Sequence, residues 1–131
     1  MRTEFNAQFI NQVVSDIERL AVERSTKIAI HAHNLITIRT PKDTGQAWAG
    51  WNFTLNDKSF AIPQKPRKGE PRLPPALSVP NMKASKIGDT YYLVNAVQHI
   101  IYLNEGHSTQ APSNFVEQEL VSALRDIEAG Q

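Results

Sequence analysis

Thr40-Pro41-Lys42-Asp43-Thr44-Gly45-Gln46-Ala47-Trp48-Ala49-Gly50-Trp51-Asn52-Phe53-Thr54-Leu55 is the stretch of the 131-residue chain on which the fold turns. Pro41 pushes its predecessor out of the α region, so any helix before it stops at Thr40. The next residues make a turn: Asp43 and Thr44 can hydrogen-bond the turn backbone, and Gly45 supplies a permissive φ. From Gln46 a period of two sets in, with Ala47, Ala49, Trp51, Phe53 and Leu55 on one face and Gln46, Trp48, Gly50, Asn52 and Thr54 on the other. This alternation predicts a half-buried strand with Trp51 inward and Trp48 on the polar side, ended by Asn56-Asp57.

Upstream, from Thr3 to Ile38, apolar residues such as Phe5, Phe9, Val13, Ile17, Leu20, Ile28 and Leu35 recur at steps of three and four with no proline or glycine. That is one long amphipathic helix, N-capped by Thr3, with Arg24-Ser25-Thr26 as the place for a bend. Such a helix is about 50 Å long, more than a chain of this size can cover with its own core, so part of its apolar stripe is expected to meet another chain.

Downstream, Lys86-Ile87-Gly88-Asp89 reads as a turn, and Thr90 to Asn95 as a second strand antiparallel to the first. Ile100, Ile101 and Leu103 suit a short helix ended by Gly106 in a left-handed C-cap. After a polar loop from His107 to Gln110, Pro112 introduces a final helix. Phe115, Val116, Leu120, Val121, Leu124 and Ile127 should face inward there, and Glu117, Glu119, Arg125 and Asp126 outward. The plan is α+β in a single domain, 1–131, with a small antiparallel sheet interrupted by a long arm.

That arm, residues 58–86, holds six of the eight prolines and carries a net charge of +6, against −5 for the rest of the chain. Prolines fix φ and remove donors that a helix or central strand needs, so the segment is an extended arm or long loop. It can be a solvated loop, a nucleic-acid-binding segment, or an arm lying across a neighbouring subunit. The complementary charges favour the last, with Lys65, Arg67, Lys68 and Arg72, together with Trp48, as subunit-interface residues. A nucleic-acid binder would normally interleave aromatics, and the arm offers only Phe60.

With no cysteine, disulfides, thiolate catalysis and zinc-ribbon or iron–sulfur sites are excluded. No apolar run is long enough to span a membrane, and the first residues lack the apolar stretch of a signal peptide, so a soluble chain made in the cytoplasm is expected. Phosphate-loop, dinucleotide, nucleophile-elbow and zincin motifs are missing. His31 and His33, two apart on a helix, point about 200° from each other and are expected to be solvated and not to share an ion. His99, Glu105, His107 and Ser108 cluster in sequence, but nothing in their spacing supplies an orienting group or an oxyanion hole. No enzymatic activity, cofactor or metal is expected.

Two segments together carry a resemblance. Thr40-Pro41-Lys42-Asp43-Thr44-Gly45-Gln46-Ala47-Trp48-Ala49-Gly50-Trp51 and, after Asn95, Ile100-Ile101-Tyr102-Leu103-Asn104-Glu105-Gly106-His107-Ser108-Thr109-Gln110-Ala111-Pro112 with Phe115 beyond it, are similar in order and spacing to the neck, or tail-completion, proteins of long-tailed bacteriophages. That group includes proteins similar to the lambda minor tail protein Z. On this resemblance Asp43, Thr44, Gly45, Trp51, Gly106 and His107 are fold-motif residues. The resemblance implies a structural virion protein, assembled in the host cytoplasm, that forms a ring, six-fold, between the head-closure (connector) and tail-terminator rings. Genomic DNA would pass through the lumen without sequence specificity. The alternative reading from the residues alone is a small nucleic-acid-binding protein using the basic arm.

Overall fold

Uninterrupted by proline or glycine, the first segment forms one helix, α1 (Ala7–Arg39), in a computed structural model that describes residues 7–42, 45–69 and 86–130. Thr3, expected as its N-cap, lies outside the described residues. The helix ends as Pro41 requires. The Thr40 N–H still bonds the Ile36 carbonyl at 3.0 Å, and the Thr40 hydroxyl donates back to the same carbonyl at 2.7 Å, a local bond that competes with helix continuation. That hydroxyl in turn accepts from the Trp51 indole N–H at 2.8 Å. One relay thus ties the helix terminus to the strand that follows.

Residues 46–49 correct the sequence reading. They form a short helix, α2 (Gln46–Ala49), and only Trp51–Leu55 is strand, β1. Two alanines carry too little facial preference to separate a period of two from a helical turn over four residues. Gly45, at φ 85°, starts the turn and accepts from the Ala49 N–H at 2.9 Å. The Asn95 amide donates to the Ala47 carbonyl at 2.8 Å, while its oxygen accepts from the Val97 N–H at 3.1 Å. Trp48 is therefore on a helix and not on the polar face of a strand.

β1 pairs antiparallel with β2 (Tyr91–Asn95), Trp51 opposite Asn95 and Leu55 opposite Tyr91. The alternation holds over the first part of β1, with Trp51 and Phe53 buried, whereas Leu55, expected inward, is only half-buried at the strand's end. At the open end Asn56 accepts from the Thr90 N–H at 2.9 Å and donates to Asp89 at 3.0 Å. This bond, with the Lys86 N–H, holds the Asp89 carboxyl below its ordinary pKa.

Gly50 sits where α2, β1 and the segment after β2 converge. A Cβ there would lie 2.5 Å from the Val97 side chain and 2.8 Å from the Asn95 side-chain oxygen. Gly50→Ala should therefore cost about 1–3 kcal/mol of unfolding free energy through overpacking, read as a lower urea midpoint.

α3 (Ile100–Asn104) stops as expected, with Gly106 at φ 95° donating to the Leu103 carbonyl at 3.1 Å. Asn104 then nucleates α4 (Phe115–Glu128) from outside it. Its side-chain oxygen accepts from the Val116 N–H at 3.0 Å and its amide donates to Glu117, satisfying a first-turn donor that α4's own N-terminus leaves open.

α4 lies antiparallel along the C-terminal half of α1. Arg39 meets Glu119 at 3.3 Å and His31 meets Asp126 at 2.7 Å. Between them Ala32 and Ile36 pack with Phe115 and Ala123, and with Trp51, Val97 and Leu103 beyond. The facing of α4 is a second correction. Glu119 and Asp126, expected outward, turn toward α1, where they meet Arg39 and His31 at the edges of the buried Phe115–Ala123 face. The helix is rotated accordingly, and Leu120, Val121 and Leu124 are left exposed.

Candidate interaction surface

α4 has 14 residues and spans about 21 Å, whereas α1 has 33 and spans about 50 Å. Because Asp126 pairs with His31 and α4 ends at Glu128, α4 covers only about the last third of α1, whose N-terminal half continues without it. There Ile10, Val13, Val14, Ile17 and Leu20 are all large, apolar and between 40% and 60% exposed. Val13 and His31 are separated by five full turns, so this ridge is on the side of α1 that α4 covers further along. The excess length read from the sequence is thus an exposed apolar surface.

Where α1, α4 and the sheet meet, the packing leaves a second apolar feature, an open groove of about 410 Å³. Its floor is Ile28, Ala29 and Ala32 of α1, one wall is Phe53 and Leu93 of the sheet, and the other is Leu120 of α4. Neither the groove nor the exposure of Leu120 was legible from periodicity, because both follow from how α4 is rotated on α1.

Of the residues expected at a subunit interface, Trp48 is half-buried, with the Lys42 ammonium 5.3 Å from its ring centroid, a cation–π contact. Lys65, Arg67 and Lys68 are exposed on the stretch after β1. The start of that stretch is held by the Asn52 amide on the Ala61 carbonyl at 2.9 Å and by the Gln46 amide on the Pro63 carbonyl at 3.0 Å. Lys65 shares a polar pocket of about 260 Å³ with Gln46 and His99. Arg72 and residues 70–85 of the arm lie outside the described residues, as do Asp43 and Thr44. Of the other fold-motif residues, Gly45 and Gly106 have the positive φ their turns need, and Trp51 is buried.

The sequence cluster His99, Glu105, His107 is brought together only in part. His107 stacks on Tyr102, with centroids 4.0 Å apart, and its Nε2 is 3.9 Å from Glu105. His99 sits at the start of α3 and faces the Lys65 pocket. Among the described residues no group of three or more His, Cys, Asp or Glu is placed to hold a metal ion, and no helix is long and apolar enough to cross a membrane.

The histidine pair departs from expectation. His31 is half-buried against Asp126, and His33 is buried outright, stacked on Phe53 at 4.9 Å between centroids. Its Nδ1 has no hydrogen-bond partner, and burial lowers its pKa below the ordinary 6.5. A depressed histidine leaves the unfolded chain to take up the proton first. Its contribution to stability is therefore complete above about pH 6.5 and is lost as the pH falls from there toward the folded-state pKa. His33→Phe keeps the stack and removes both the titration and the orphaned nitrogen. Urea midpoints measured from about pH 7 to 5 should decline for the parent and be flatter for the variant.

Compared with protein-family models, with curated proteins and with solved structures, the chain has no match.

Proposed function

We propose that this chain is a structural subunit of the bacteriophage neck. It assembles with copies of itself into a closed six-fold ring at the joint between the head-closure and tail-terminator rings, in virions put together in the host cytoplasm. The observation that carries the reading is the exposed ridge on the N-terminal half of α1: among the described residues, five large apolar side chains there form a surface that association, and not catalysis, would use. The two sequence segments that resemble neck proteins support it, since they supply the turn, the buried Trp51 and the α3–α4 corner around which the subunit is built. The protein acts by filling and sealing the joint. Its part in DNA passage is to leave a lumen, with no base recognition and no chemistry of its own.

A second reading, nucleic-acid binding by the basic arm, is favoured by the exposed Lys65, Arg67 and Lys68. Electron microscopy of the assembled protein, with duplex DNA titrated at several salt concentrations, separates the two. Closed rings with an open lumen and only weak DNA affinity support the neck subunit. Particles without a lumen overturn the ring, and a duplex affinity that is strong at moderate salt and falls steeply as salt rises supports the arm as a nucleic-acid-binding element instead.

A further inference from the structure

We infer that the groove between α4 and the sheet is the seat for the N-terminal half of α1 from a neighbouring copy, so that subunits join head to tail. The inference rests on the ring reading above and specifies which surfaces make the contact.

The chain carries both halves of a complementary pair. One is a convex apolar ridge, Ile10, Val14 and Ile17 with Val13 and Leu20 beside them, and the other is a concave apolar groove. The two cannot meet within one molecule. The groove is floored by α1 itself, and the ridge lies on the same uninterrupted helix, so it cannot turn back onto its own continuation. The sizes agree: an apolar cavity of about 150 Å³ accepts one benzene-sized group, so about 410 Å³ has room for two or three ridge side chains. The ridge turns one helical face outward, as a helix seated in a groove requires, with anchors one turn apart. Because ridge and groove are different patches of one subunit, the contact is heterologous. Repeated with a closing rotation it makes a ring, whereas a ridge-on-ridge contact would make only a two-fold dimer.

The absence of cysteine makes disulfide mapping direct. Leu120→Cys, in the groove wall, is combined in turn with Ile10→Cys, Val14→Cys or Ile17→Cys in the full-length chain and oxidised. Within one molecule position 120 lines the groove beside Ile28 to Ile36 of α1, about 16 Å or more along the helix from Ile17 and further from Val14 and Ile10, beyond the roughly 7 Å between Cα atoms that a disulfide allows. Any bond is therefore between copies. The expected result is a ladder of covalent multimers from at least one double variant, and dimers only when the two matching single variants are mixed. Efficient cross-linking of Ile17→Cys alone indicates ridge on ridge and overturns the head-to-tail contact. Rings that form with no bond to position 120 overturn the groove as the seat and leave the ring reading standing. A chain that neither cross-links nor associates overturns both.

Discussion

Trp51→Ala should lower the free energy of unfolding by about 3–5 kcal/mol, the largest loss expected from any single replacement discussed. The indole is 5% exposed, in the cluster that joins α1, β1 and the end of β2, so truncation removes a large buried surface and leaves a cavity that the helices cannot close without moving. A second cost is polar. Without the indole N–H the Thr40 oxygen loses its donor inside the core, and the relay to the Ile36 carbonyl is cut. Trp51→Phe divides the two effects, since it keeps most of the apolar volume and should lose only about 1–2 kcal/mol. Urea titrations of both variants make the measurement, and a loss below about 1 kcal/mol for the alanine variant would contradict the burial of this side chain.

Placing two charges on the ridge, Val14→Asp with Ile17→Asp, should act on association and not on folding. Both side chains are about half exposed or more, so the isolated subunit should keep its melting transition to within about 1 kcal/mol, allowing for the poorer helix propensity of aspartate. In an apolar seat two unpaired carboxylates must be desolvated, which should weaken association at least about 100-fold. Sedimentation of parent and variant over a range of concentrations reads this directly. A variant that associates as tightly as the parent would remove α1 from the interface, and a variant that no longer melts cooperatively would show the ridge to be core.

How far these features were legible in the sequence depends on the length scale of the signal. α1 declared itself because more than thirty residues of three-and-four spacing leave no other reading, and Thr40-Pro41 fixed its end. β1, β2 and α3 followed from alternation and from glycines whose turns demand positive φ. Gln46–Ala49 misled because four residues, two of them alanine, fit either period. The facing of α4 misled for a different reason. Its apolar stripe is wider than one contact, and which edge is buried depends on the surface of α1 it meets, where Ala32 and Ile36 take up Phe115 and Ala123, beyond the reach of local periodicity. His33 was concealed in the same way, since only the placement of Phe53 across from it makes a buried stack. The ridge could be inferred from helix length, but the groove is a product of tertiary packing and had no sequence signature.

A ring subunit must be incomplete by itself. Light scattering coupled to size exclusion, run on the full-length chain across a wide concentration range, tests this most directly. It should yield a single closed assembly at a fixed multiple of the 14.7 kDa chain, with no open series of larger species, and that assembly should be lost in the ridge variant. A mass of one chain at every concentration would contradict it.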